Sequence, residues 1–208
     1  PARISIEEAA RQVGVAEPIE ENIIGLMQQL YNGLQPLHAL PPWHRALANA
    51  AAMLYCAGEC LDYKRPWKPA YRLANQRRFA ILSETDQVML AGIMQLTGRH
   101  IDRKHVAQVF SQELSDQNQL EALLIASLLR IAFPIAKLGD DTPVIEKVSH
   151  TRDSRPVEIF LSGSGAIEAA RKAKAKSDLW SEVTGLELGW KVARNANLRN
   201  LGLSPQDT

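Results

Sequence analysis

Residues 51–59 read AAMLYCAGE. This small-residue helix surface continues the apolar side begun by Leu47, Ala50, Ala51 and Leu54, and Tyr55 and Cys56 stand at its centre. The spacing predicts a helix packed in a core, with Cys56 as a small hydrophobe, that runs out at about Gly58. It is one of a run of helices expected over the first two thirds of the chain.

The segments on either side agree. Ser5 followed by Glu8 fits a capping box, and Gly14 is a stop for the short helix between them. Pro18 opens a second helix with Ile19, Ile23, Leu26, Leu30 and Leu34 as one apolar stripe, and PLHALPP at 36–42 is expected to be a turn. A short helix is expected from Pro69. Ser83 with Asp86 caps another, whose buried side carries Met89, Ile93 and Leu96. Asp102 starts the next, with Val106, Val109 and Phe110 inward. Ser115 starts the longest, lined by Leu120, Leu123, Leu124, Leu128 and Ile131 and ended by Pro134 and Gly139.

At LGDDTP, residues 138–143, the pattern changes. TPVIEKVSH and RPVEIFLSG read as a hairpin joined by TRDS, SGAIEAARKAKAKSDLWSEVTG as helical, and LELGWKV as a last strand. The expected fold is mainly α: a helical domain over 1–139, a small ββαβ (α+β) domain over 140–194, and a loose tail over 195–208.

Composition bounds the function. The 208 residues are 46% apolar and 23% charged with net charge +1, so any anion binding must come from local clustering. Cys56 and Cys60 form no CxxC pair or disulfide framework, no apolar run approaches the roughly 20 residues of a membrane span, and no signal-peptide order opens the chain. A cytoplasmic protein without membrane contact is expected.

Local clustering does occur. Lys64, Arg65, Lys68, Arg72, Arg77 and Arg78 fall within 64–78 with no acid until Glu84, and Trp67 and Tyr71 are interleaved. Such a stretch suits polyphosphate or another phosphorylated anion, each contact releasing counterions. The plainer reading is a solvated face paired with Glu59, Asp62 and Glu84. Arg171, Lys172, Lys174 and Lys176 read as the exposed side of an Ala/Lys helix, and SGSG at 162–165 as a loop cap rather than an anion-binding helix entry. His38, His44, His100, His105 and His150 are scattered and suit surface or capping roles.

The order and spacing of several segments resemble the C-terminal half of the exopolyphosphatase / guanosine pentaphosphate phosphohydrolase family over roughly residues 3–192. ISIEEAARQVGV is similar to the short helix after that family's catalytic core, AAMLYCAG to its AAxLHxxG helix and WKPAYRL to its hHSAYLI segment. MLAGIMQLTGRH resembles the helix ending in YHRK, LLIASLLRIAF the LLRLA-type helix, and LWSEVTGLELGWKV the closing WxxxxGWxLxI stretch. The resemblance implies an HD-phosphohydrolase-like helical bundle, a basic passage for polyphosphate and a homodimer, for which Trp43 and Trp67 are candidate exposed contacts.

In that family an N-terminal actin-like pair of lobes performs hydrolysis, and no strand, glycine-rich phosphate loop and helix of that kind is legible here. Such a catalytic domain would act in cis or in trans.

An HD centre needs His and Asp ligands for a divalent metal. Here the signature positions are Tyr55 and Cys56, the next reads Pro66-Trp67-Lys68-Pro69, and the last Leu96-Thr97-Gly98. No metal, no cofactor and no catalytic residue is therefore expected in this chain. The expectation is a non-catalytic accessory module that binds a polyanion and dimerises. Two alternatives stay open: an HD-type phosphohydrolase with a rearranged site using Glu59, Asp62, His100 or Asp102, and a guanosine-polyphosphate-binding signalling module with Trp67 or Tyr71 stacked on the base.

Overall fold

A computed structural model of the chain describes residues 3–98, 108–110, 113–150 and 157–193. Eight α-helices and three strands are described: α1 (Ile6–Gln12), α2 (Glu17–His38), α3 (His44–Leu61), α4 (Trp67–Gln76), α5 (Glu84–Gly98), α6 (Asp116–Ala136), β1 (Val144–Ser149), β2 (Val157–Ser162), α7 (Ala166–Ala175), α8 (Asp178–Thr184) and β3 (Leu188–Val192). The chain is mainly α with a small α+β unit.

The predicted caps form. Ser5 Oγ accepts from the Glu8 N–H, Ser115 Oγ from Asn118, and Ser83 and Asp86 bond each other reciprocally at the start of α5. The core gathers Ile23, Leu26, Leu30 and Leu34 of α2, the alanine-rich face of α3, Met89, Ile93 and Leu96 of α5, and Leu124, Leu128 and Ile131 of α6. Ile19 and Leu120, expected on the inner stripes, lie exposed near the helix starts.

Helix α6 has the length and apolar composition of a membrane span, but most of it is buried at the bundle's centre. Arg130 interrupts its apolar run.

Several boundaries differ from expectation. The 36–42 stretch is only partly a turn, because α2 continues through Pro36 to His38 before Ala39 adopts a left-handed conformation with φ 51°. The reason is His38 itself. Its Nδ1 accepts from the Leu40 N–H at 2.9 Å, so the proton sits on Nε2, which donates to the Tyr31 carbonyl at 2.8 Å. Helix α3 passes Gly58 to Leu61, and α6 passes Pro134 to Ala136. A proline in a last turn removes one bond without ending the helix. At 22 residues α2, not the 21-residue α6, is the longest helix among the described residues.

In the α+β unit the sheet order is β1-β2-β3, with β1 antiparallel to β2 and β2 parallel to β3. Val157, Ile159 and Leu161 alternate into the core along the central strand. The helical stretch expected over 164–185, the one α of the ββαβ unit, is two helices. They break at Ser177, whose Oγ donates to the Ala173 carbonyl and accepts from Trp190 Nε1 at 3.0 Å. Gln29 of α2 accepts from the Ile145 N–H at 2.7 Å, joining β1 to the bundle. The TRDS turn, His100 and His105, the tail and the start of the helix from Asp102 lie outside the described residues; of that helix's inward residues Phe110 is buried and Val109 packs against the core.

Candidate functional site: a basic, aromatic cleft

Gly58 sets the geometry. A Cβ there would run into the Pro66 carbonyl and Ala70, so only glycine lets the start of α4 lie this close on α3. The link between them turns on Asp62, whose Oδ1 accepts from the N–H groups of Lys64 at 3.2 Å and Arg65 at 3.1 Å. Burial acts to raise the Asp62 pKa, but the Arg65 N–H, its guanidinium charge and the Lys64 N–H together outweigh it and hold the carboxyl below its usual range. The turn leaves Tyr63 and Lys64 exposed at the bundle's end.

Beneath them lies a cleft of about 310 Å³ lined by Tyr55, Tyr63, Lys64, Pro66, Trp67, Thr97, Gly98, Arg130, Phe133, Pro134, Lys137, Lys172 and Lys176. The ends of α3, α5, α6 and α7 and the start of α4 meet there. Five lining residues are basic and no carboxylate, thiol or imidazole is among them. Gly98 lets Trp67 close one wall, because a Cβ at that position would strike the indole. Tyr55 meets Phe133 edge-to-face at 4.6 Å.

The five basic groups are not equivalent. Arg130 is 6% exposed and tied down: Nη2 donates to both oxygens of Asp178 at 2.8 and 3.0 Å, and Nη1 donates to the Thr97 carbonyl at 3.1 Å. Lys137 pairs with Glu59 and lies 5.5 Å from the Phe133 ring centre. Lys172 lies 3.6 Å from Glu168, which is held more closely by Arg171 at 2.6 Å. The hydrogen bond from Arg171 brings the Glu168 pKa down to about 2. Lys64 and Lys176 enter none of the ion pairs among the described residues.

The structure divides the predicted basic segment. Lys64 reaches the cleft. Arg65 turns back to Asp62 Oδ2 at 3.3 Å, and Lys68 sits 5.5 Å over the outer Trp67 ring. Arg72 and Arg77 are exposed elsewhere on or beyond α4, and Arg78 lines separate cavities with Tyr71 and with Arg3. The six do not form one site. Lys172 and Lys176, read as a solvated face, line the cleft instead, as does Arg130. A lone arginine in an apolar helix must find partners, and Lys172 and Lys176 are spaced i,i+4; both signals were legible.

Tyr55 and Cys56 part company. Cys56 is sealed in the core, and burial, with Glu59 adding, pushes its thiol up to about 12. Tyr55 is 5% exposed yet lines the cleft, and burial raises its phenol above the ordinary value. Its hydroxyl enters no hydrogen bond among the described residues. At the SGSG loop, Ser164 Oγ donates to Asp141 at 2.6 Å, so an acid occupies that helix entry. His38 and His44 are buried rather than on the surface, and only His38 caps. His44 Nε2 lies 2.6 Å from Glu121 Oε2. Trp43 is 73% exposed, but Trp67 is half-buried in the cleft wall.

Among the described residues no group of three His, Cys, Asp or Glu is placed to hold a metal ion. Of the alternative ligands, Glu59 is paired to Lys137 and Asp62 caps its turn, while His100 and Asp102 lie outside the described residues. No protein-family model matches this chain, and no curated protein does.

Proposed function

We propose that this chain is a non-catalytic module that binds polyphosphate or a similar phosphorylated anion in the cleft between its bundle and its α+β unit. In this reading it is an accessory half related to the exopolyphosphatase / guanosine pentaphosphate phosphohydrolase family, working beside an actin-like catalytic domain. One observation carries the binding: basic side chains from the α3–α4 link, α6 and α7 converge on one cleft that no carboxylate lines among the described residues. Convergence matters because lysines that share a ligand release several counterions together, whereas scattered ones hold it singly.

The groups at the cleft are donors and ring faces, which suits holding an anion rather than attacking it. A cytoplasmic homodimer is part of the proposal, with the exposed Trp43 as a contact. A monomer mass by light scattering at micromolar concentration would remove that part.

The central test is calorimetry with medium-length polyphosphate at 50 and 200 mM salt. Binding is expected, about tenfold weaker at the higher salt for two or three phosphate contacts. It should weaken further in Lys64→Gln and Lys176→Gln. No binding, or binding indifferent to salt, overturns the reading.

A further inference from the structure

We infer that the cleft takes a phosphomonoester carried on an uncharged aromatic ring, with the phosphate at the lysine rim and the ring directed inward to Tyr55. This narrows the anion-binding reading above and rests on it.

Charge sets the size of the anionic part. Of the five basic groups, Arg130 is balanced by Asp178 and Lys137 by Glu59, and Lys172 shares Glu168 with Arg171. Lys64 and Lys176 are left without a carboxylate partner among the described residues. A monoester phosphate carries about −1.5 to −2 at neutral pH, which matches two such lysines. A longer polyphosphate would place only one or two of its phosphates on these lysines and run on outside the cleft.

Depth sets the orientation. Lys64 and Lys176 are exposed; Trp67 and Phe133 below them are half-buried; Tyr55, Thr97 and Arg130 at the bottom are buried. Charge that is free for a ligand thus lies at the mouth, and flat apolar surface lies beneath it. The lowest groups present no uncompensated charge. An anion pushed to the bottom would lose water and gain only an arginine already held by Asp178. A ring pushed there would lie against Trp67 and Phe133, which line the cleft.

Tyr55 supplies the second, independent observation. It is nine-tenths buried, lines the cleft, and its hydroxyl lacks a hydrogen-bond partner among the described residues. Burial keeps the phenol protonated, so it offers a neutral donor and acceptor to a ring nitrogen or carbonyl. The volume, about 310 Å³, lies at the small end of ligand cavities, which suits a ligand with one base and one phosphate.

The test uses the whole chain and five probes by calorimetry: AMP, GMP, UMP, ribose 5-phosphate and pyrophosphate. At least one nucleoside monophosphate is expected to bind about tenfold more tightly than ribose 5-phosphate or pyrophosphate, from stacking. Tyr55→Phe keeps the packing on Phe133 and should cost that nucleotide about fivefold while leaving the other two probes unchanged. Lys176→Gln should weaken all the phosphates alike. If pyrophosphate or ribose 5-phosphate binds as well as every nucleotide, or Tyr55→Phe changes nothing, the ring assignment falls while anion binding stands. If none of the probes binds and polyphosphate does not either, both fall.

Discussion

Charged side chains enter the bundle at two places built in opposite ways. Beside the α+β unit is the cleft, where the one buried cation, Arg130, is balanced by Asp178 and the two unbalanced cations, Lys64 and Lys176, are exposed. The other place is the start of α3. There His44 and Glu121 are both buried, their Nε2 and Oε2 2.6 Å apart; Gln117 donates to the second Glu121 oxygen at 2.9 Å, and Asp86 lies 3.9 Å from His44 Nδ1. His44 Nε2 and both Glu121 oxygens are taken up within the cluster, while His44 Nδ1 has no hydrogen-bond partner among the described residues. The contrast separates two uses of charge: closed networks hold helices together, while unpaired cations around an open volume are available for binding.

The largest expected effect tests the closed side. Glu121→Ala leaves the buried His44 Nε2 without its partner and should cost about 3 kcal/mol in urea unfolding. The His44→Ala/Glu121→Ala pair should cost clearly less than the two single changes together. If Glu121→Ala is as mild as a surface change, the cluster is not the tie described here.

Next comes the cleft wall. Gly98→Ala drives a methyl into Trp67 and should cost about 1–3 kcal/mol through overpacking, with a change in near-ultraviolet circular dichroism. The open side should behave in the reverse manner. Lys64→Gln with Lys176→Gln is expected to lower polyphosphate affinity about tenfold while moving stability by less than about 0.5 kcal/mol. A large stability loss in that double variant would mean that these lysines are structural after all.

A smaller, pH-dependent effect belongs to His38. Burial holds its pKa below the ordinary 6.5 against the raising influence of the Tyr31 carbonyl. The unfolded chain therefore takes up this proton first as pH drops. Stability from this residue is complete above about pH 6.5 and declines as pH falls through the interval below it. Unfolding midpoints measured across that interval should slope less in His38→Gln. Smallest of all is a difference in labelling with no change in stability: iodoacetamide at pH 8 should modify exposed Cys60 and spare Cys56, whose thiol is held up to about 12 until the chain unfolds.

Much of the scaffold was readable because it is local. Ser5, Ser83 and Ser115 cap where their neighbours three residues on allow it, and the i,i+4 leucines of α2 mark its inner face. The misreadings have a common cause. Pro36, Pro134 and Gly58 look like stops, yet each lies in the last turn or so of a helix that runs two or three residues further, at α2 with His38 holding the end. The basic stretch 64–78 is one patch only along the chain. Once α4 winds, Lys64 points to one region and Arg78 to another.

The sequence by itself determined the helical bundle, the change to strands after residue 138, and the burial of the Tyr55–Cys56 helix, because periodicity, capping and apolar runs act over one or two turns. Only the tertiary structure decided which cations share a ligand-sized space. Lys64, Arg130 and Lys176 are far apart in the chain, and they meet because Gly58 lets α4 close on α3 while the sheet brings α7 against the end of α6. A binding site is a property of positions in space, and side chains that never neighbour one another in sequence leave no common period to read.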